Sequence, residues 1–389
     1  MRRLVGFLAV IVAFIFLASP YAYADGDFEE SVATSTDKKY SSKAMILVEM
    51  STGQVLGETN AHEKLSIASL TKIMTLLLVT EQIERGEMSV TEKVKASSHA
   101  NSMGGSQIWL MPGEEMTVDE LLRAVVIQSA NDACVTLAER AAGTEEAFVK
   151  LMNERAKQLG MSNTHFVNSV GFDAKNHYST AYDIAILSRE IMKHDIATKY
   201  MTVWYDELRG GETMLVNTNE LVKSYDGIAG IKTGTEKDAG YCISACAIRG
   251  GFGLVAVVLG GTSSEGRFDT ARSILDYGFA SFELFTPMID SALLTPVKVL
   301  NGVEQSVGVK ANSMVAVVIP KGKGELVEYT VTLAENVTAP VEAGQALGTL
   351  SITLEGNPIH ESNIVAWGSV EKMSTFKAFF ILLKSSMQM

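Results

Sequence analysis

Apolar and polar positions alternate at the two ends of this sequence and follow a helical period in its middle. KAMILVEM and QVLGETN flank Ser51-Thr52-Gly53, two short strands around a tight turn, which predicts an opening β-hairpin. From Ile67 the run IASLTKIMTLLLVTEQIER reads as a largely buried helix that stops at Gly86 and holds Ser69 and Lys72 in its first turn. Thr117 and Glu120 have the spacing of a capping box ahead of LLRAVVI, and Ser129-Ala130-Asn131 interrupts the helix that follows. Further helices are expected over Glu145 to Leu159 and Ala181 to Lys193. GIKTGT, GYCISACAIRG and FGLVAVVLGG then return to strand, and a helix from about Arg267 to Leu284 closes the unit. The pattern implies an α+β architecture, an antiparallel sheet flanked by helices.

Beyond Thr286 the segments VKVL, MVAVVI, VEYTVTL and ALGTLSITL alternate between Gly, Pro and Asn, which predicts a small β domain over residues 286–370. No paired carboxylates, metal-ligand spacing or aromatic-basic cluster stands out in it. In the tail, residues 371–389, Met373, Phe376, Phe380, Leu383 and Met387 recur at steps of three and four, with Lys377 and Lys384 elsewhere on the wheel. Its apolar run is far shorter than a bilayer requires, so it is expected to lie in a membrane interface; the alternative is a helix docked on the β domain.

At the other end, Arg2 and Arg3, an apolar stretch from Leu4 to Leu17 and Ala22-Tyr23-Ala24 form a secretory signal, residues 1–24. An uncleaved anchor is the alternative, and either way the remainder is expected outside the cytoplasm. Residues 25–42 are polar and read as a tether, which leaves 43–285 for the first domain. An apolar fraction of 47 % with only 7 prolines indicates a packed protein, and 389 residues give room for two domains.

The formal charge is -12, and loss of residues 1–24 removes two arginines and no acid, giving -14 for the mature chain. Such a surface repels phosphate backbones, so nucleic acid is excluded as a partner. Cys134, Cys242 and Cys246 fit neither a zinc ribbon nor a disulfide framework. On a strand, Cys242 and Cys246 would stand roughly 13 Å apart, too far to bridge, so all three are read as buried apolar residues. His62, His99, His165, His177, His194 and His360 show no zinc-ligand spacing, and no metal is predicted.

The candidate chemistry begins with Ser69. A serine hydroxyl needs a base, and a lysine three residues on along a helix lies on the same face, within reach. The same spacing at Ser35/Lys38 and Ser374/Lys377 falls in the tether and the tail, outside a folded core. To act near neutrality Lys72 must lose roughly 3 pKa units, about 4 kcal/mol, which burial and a second cation can supply. Lys232, in Lys232-Thr233-Gly234, is the candidate cation; it would attract a substrate carboxylate while Thr233 donates a hydrogen bond and Gly234 permits close approach to the strand. Ser129 offers a hydroxyl able to relay a proton, and Asn131 an amide able to orient substrate or Lys72.

Taken in order, SLTK, SAN and KTG resemble the active-site triplet of penicillin-recognising serine enzymes. The likeness extends to MPGEEMTVDELL, to LGMSNTHFVNSVGFDAKNHYSTAYDIAIL and to the β-rich module with its tail, and so covers nearly the whole chain. The sequence looks like a serine-type D-alanyl-D-alanine carboxypeptidase, a low-molecular-mass penicillin-binding protein. The resemblance implies a penicillin-binding/β-lactamase-like transpeptidase domain, followed by a small all-β domain and an amphipathic C-terminal helix. It also implies a substrate, the peptidoglycan stem peptide ending in D-Ala-D-Ala, inhibition by β-lactams, and no cofactor. Ser69 would attack the peptide carbonyl, Lys72 accept its proton and Ser129 pass a proton to the departing D-alanine. Backbone amides of Ser69 and Thr235 would form the oxyanion hole, with Arg267 assisting the carboxylate. Thr235 stands where some relatives carry histidine, which bears on rate and substrate preference rather than on reaction class.

A serine β-lactamase of the same superfamily would need a deacylating glutamate near a Glu-x-x-Leu-Asn segment, and none is found. An endopeptidase with another peptide preference remains open. So does a catalytically idle module docking on peptidoglycan, although all three motifs are intact.

Overall fold

A computed structural model describes residues 42–311 and 316–374. The signal segment, most of the tether and the tail beyond Ser374 lie outside the described residues.

The opening hairpin forms as expected: β1 (Ala44–Glu49) pairs antiparallel with β2 (Val55–Thr59) around a turn that needs Gly53 at φ 77. β3 (Ile228–Glu236), β4 (Gly240–Arg249) and β5 (Phe252–Gly261) complete a sheet of order β2-β1-β5-β4-β3, antiparallel throughout. Every residue of β5 is buried. Such a strand reads as an unbroken apolar run because it is covered on both faces.

One face carries α1 (Lys72–Glu84), α2 (Val118–Arg123), α3 (Asn131–Ala142), α4 (Glu145–Gln158) and α5 (Ala181–Ile191), packed around Leu70, Ile73, Leu77, Val125 and Leu137. The other face packs on α6 (Ser264–Ser281) through Phe268, Ile274 and Leu275. The capping box at α2 is present in both directions, with Thr117 Oγ1 accepting from the Glu120 amide at 3.2 Å and Glu120 Oε2 accepting from the Thr117 amide at 2.8 Å. Cys134, Cys242 and Cys246 are free and buried, and burial pushes their thiols up to about 11, 11 and 12.

Three expectations about element ends are corrected. Ser69 is not in an α-helix: Ala68–Thr71 is a 3-10 turn, and α1 begins only at Lys72. The helix reaching LLRAVVI leaves α geometry at Ala124 and makes a π turn to Gln128 before the SAN break. The last helix stops at Ser281, since Phe282–Phe285 is a strand pairing antiparallel with Val317–Pro320 of the β domain. A partner strand from distant sequence outweighs local helical periodicity there. The boundary expected at 286 comes directly after this strand. At the other end, the Glu371 carbonyl accepts from the Val303 amide at 2.9 Å and the Met373 amide donates to the Asn301 carbonyl at 2.8 Å, so the β domain keeps the first residues assigned to the tail. That domain has its own core, centred on Ile319, Leu350, Ile352 and Ile364. No helix among the described residues is long and apolar enough to cross a membrane.

Candidate active site

The site lies where the 3-10 turn, the SAN break and β3 meet. Ala68 enters the turn with a left-handed φ of 48, and the 163–180 loop closes against it. Gly171 in that loop has φ 96, and a Cβ there would stand 1.9 Å from the Ala68 carbonyl oxygen. Only glycine permits this approach. Gly234 of β3 serves a similar end, because its Cβ would fall 2.9 Å from the Ser69 amide nitrogen and 3.0 Å from the Ile67 carbonyl oxygen. The space a side chain at Gly234 would take is thus occupied by the backbone of Ile67 and Ser69.

Lys72 Nζ donates to Ser69 Oγ at 2.8 Å and to the Val170 carbonyl at 2.7 Å. The lysine is fully buried, and desolvation, opposed by the more distant fields of Cys134 and Glu236, brings its pKa down to about 8. A useful fraction is then neutral and able to accept the Ser69 proton. The 3-10 turn keeps the Ser-x-x-Lys contact although the serine is not in the helix.

Lys232 and Arg267 approach from the sheet side. Burial, followed by repulsion from Lys72 and Arg267, holds Lys232 well below the usual lysine range. Its Nζ donates to the Thr233 carbonyl at 3.1 Å. Arg267 Nη1 donates to the Gly234 carbonyl at 3.0 Å and to Thr235 Oγ1 at 2.9 Å, and its Nε is buried without a partner. Three basic side chains share a desolvated pocket, an arrangement that an incoming carboxylate would relieve. Thr235 is exposed, and its hydroxyl is the acceptor for Arg267, a task its sequence position did not suggest.

Ser129 closes the π turn with φ 63, a conformation that costs a non-glycine residue roughly 1–3 kcal/mol and collects at functional positions. Asn131 opens α3, with its amide donating to the Ser106 carbonyl at 2.7 Å and its Nδ2 to the Gly104 carbonyl at 2.6 Å. Its side chain therefore fastens the 104–106 segment in this state, rather than Lys72.

Sequence reasoning missed the loop behind Ser69. His177 Nδ1 accepts from the Val167 amide at 3.1 Å, so its Nε2 carries the proton and donates to Thr71 Oγ1 at 2.8 Å. Burial pushes His177 down to about 4, and the ring stays neutral. Thr75 Oγ1 donates to the Ser169 carbonyl at 2.8 Å, and Glu145 accepts from the Ser169 amide and hydroxyl at 2.8 and 2.6 Å. These contacts hold the Val170 carbonyl against Lys72. Thr218 was also missed; its hydroxyl accepts from Thr233 Oγ1 at 2.7 Å. Only the dense run of Asn, Ser, Thr and His between 162 and 180 hinted at a wired loop.

Away from this site the fold brings Glu81, Glu190 and His194 within 4.8 Å of one another, a grouping the sequence did not reveal. Arg155 Nη2 already bridges both carboxylates at 2.6 and 3.0 Å, so their charge is compensated within the protein.

Comparison with known proteins agrees with this geometry. The family profile described as D-alanyl-D-alanine carboxypeptidase matches residues 30–263, and that of the penicillin-binding protein 5 C-terminal domain matches residues 282–372. The chain is similar to the D-alanyl-D-alanine carboxypeptidase DacF of Bacillus subtilis, 38 % identical over 100 % of this chain and 98 % of that one. Its fold is similar to penicillin binding protein 5 from Haemophilus influenzae, with TM-score 0.80 and 30 % identity over 87 % of this chain and 99 % of that one. It also resembles penicillin-binding protein D2 from Listeria monocytogenes in its cefotaxime-bound form, with TM-score 0.58 and 33 % identity over 63 % of this chain and 99 % of that one.

Proposed function

The chain belongs to the D-alanyl-D-alanine carboxypeptidase family, and we propose that Ser69 is its acylated nucleophile and Lys72 the base that activates it. The protein is a serine-type carboxypeptidase that removes the terminal D-alanine from peptidoglycan stem peptides, and it binds β-lactams. The observation that carries the residue assignment is the 2.8 Å contact from a fully buried, pKa-lowered Lys72 to Ser69 Oγ.

Ser69 Oγ attacks the carbonyl carbon of the penultimate D-alanine while its proton passes to neutral Lys72. The tetrahedral oxyanion lies between the Ser69 and Thr235 amides, a pairing favoured by the close apposition of β3 and the nucleophile's backbone at Gly234. Collapse breaks the C–N bond, the departing amine takes a proton relayed by Ser129, and water then hydrolyses the ester to regenerate Ser69. Lys232, Thr233 and Arg267 hold the terminal carboxylate, which supplies the counter-charge their pocket lacks.

Release of D-alanine from a peptide ending in D-Ala-D-Ala tests the assignment. The mature protein should release it and the Ser69→Ala variant should not. Equal release by both would remove Ser69 from its role.

Action at the outer face of the cell membrane, through the amphipathic tail, extends this reading. It is supported by the signal-like N-terminus and the helical apolar stripe after Ser374. Truncation after Ser374 should free the mature protein from membranes with activity on soluble peptides intact. A truncated protein that still sediments with membranes would refute the anchor.

A further inference from the structure

Five exposed large apolar side chains, Trp109, Met111, Tyr205, Met214 and Val216, lie on just two segments. These are the 106–113 loop and the hairpin of Tyr205–Leu208 with Thr213–Val216. Arg209 ties the two together, donating to the Ile108 carbonyl at 2.9 Å, to Thr213 Oγ1 at 2.7 Å and to Glu114 Oε1 at 2.7 Å. Grouped exposure of this kind marks an interaction surface, whereas isolated surface apolar residues do not.

Both segments are continuous with the cleft. The loop is fastened to Asn131 through Gly104 and Ser106. On the other rim, the Val216 amide donates to Gln128 Oε1 at 3.2 Å, the Thr218 amide donates to the Ile127 carbonyl at 3.2 Å, and Thr218 meets Thr233.

Trp109 is presented against local preference. Its φ is 55 and its exposure 69 %, while its neighbours Ile108 and Leu110 are each 1 % exposed. The amides of those neighbours donate to the buried Asp132 carboxylate at 2.9 to 3.2 Å. A bulky residue in the left-handed region is disfavoured by on the order of 1–3 kcal/mol, so the surrounding bonds hold the indole in water.

Length selects the occupant. Met214 precedes Thr218 by four residues, up to about 13 Å of extended chain. The five stem-peptide residues between the terminal carboxylate and the sugar span up to about 17 Å when extended. A stem peptide anchored by its terminal carboxylate at Lys232 and Thr233 is therefore long enough to carry the sugar it hangs from along this rim as far as Met214. A pyranose offers an apolar C–H face that suits an indole face, with methionines adapting around it. Being uncharged, such a ring meets no repulsion from this acidic surface.

We infer that Trp109, Met111, Met214 and Val216 form a subsite for the N-acetylated amino sugar of the glycan strand, so that the enzyme favours stem peptide still attached to sugar. This rests on the carboxypeptidase reading above. The test compares KM for D-alanine release from a disaccharide pentapeptide and from the same pentapeptide without sugar, in the wild type, Trp109→Ala and Met214→Ala. The wild type should favour the sugar-bearing substrate at least fivefold, and each variant should bring that ratio below twofold. Equal KM values in the wild type would overturn the subsite, as would a variant that raises both KM values by one factor, which would place the indole on the peptide. Titration of the Ser69→Ala protein with the peptide-free disaccharide, read by tryptophan fluorescence, keeps the two readings separate. Saturable quenching lost in Trp109→Ala supports the subsite even if no D-alanine is released, and absence of quenching counts against it.

Discussion

The burial of Lys72 should set both the pH dependence of acylation and part of the protein's stability. Its pKa falls from 10.5 to about 8, chiefly because the ammonium is desolvated. That fall corresponds to roughly 3 kcal/mol of disfavour for the charged form. If neutral Lys72 is the base, the active fraction is ~1 % at pH 6, ~10 % at pH 7 and ~50 % at pH 8. The second-order rate constant for acylation by a fluorescent penicillin, measured by stopped flow, reports the free enzyme. It should rise about tenfold from pH 6 to 7, about fivefold from 7 to 8 and less than twofold from 8 to 9. A rise that continues tenfold per unit past pH 9 would show a solvated lysine, and a flat profile would remove it as the base.

The same shift acts on stability. Between pH 8 and 10.5 the unfolded chain binds a proton that the folded one does not, so stability increases with pH across that window. Below pH 8 the burial cost is fully present. Lys72→Met removes that cost of about 3 kcal/mol and forfeits two hydrogen bonds of ~1 kcal/mol each, a net gain near 1 kcal/mol at pH 7. Its melting temperature should therefore exceed the wild type's at pH 7, while acylation is lost. A melting temperature lowered by several degrees would refute the ledger.

His177→Gln can keep both contacts, accepting from Val167 and donating to Thr71, whereas His177→Leu keeps only volume; acylation should fall roughly thirtyfold in the leucine variant, the scale of two lost hydrogen bonds of ~1 kcal/mol each, and recover in the glutamine one. Equal loss in both would assign His177 to packing alone. Because the folded His177 stays neutral down to about 4, its contribution to stability is present above pH 6.5 and is lost as pH falls from 6.5 toward 4, which acid titration of the melting temperature would register. Arg267→Ala should lower kcat/KM for D-alanine release by about 10- to 100-fold, the scale of 1.5–3 kcal/mol for a charge-assisted bond. A smaller loss on a substrate lacking the terminal carboxylate would confirm where the arginine acts, and an equal loss would contradict it.

How far the sequence reached depended on the range of the forces involved. Hairpin, capping box and helix periods are set within a few residues, so β1, β2, α1 and α2 could be read directly. The Ser-x-x-Lys, Ser-x-Asn and Lys-Thr-Gly triplet was legible because each motif carries its chemistry in adjacent side chains. Even so, the 3-10 turn under Ser69 and the π turn before Ser129 were not, since the first is imposed by packing against β3 and the 163–180 loop and the second by bonds from the Val216 and Thr218 amides. Phe282–Phe285 follows the same rule, with a strand taken from Val317–Pro320 overriding a helical pattern.

The sequence by itself determined which residues can react and which segments are apolar enough to bury them. Only the tertiary structure decided that Lys72 meets the Val170 carbonyl, that Gly171 and Gly234 yield their side-chain space to the backbone around Ser69, and that Lys232 and Arg267 share one desolvated pocket. A pKa depends on what surrounds a group in space, and those neighbours are drawn from segments up to about two hundred residues apart in the chain.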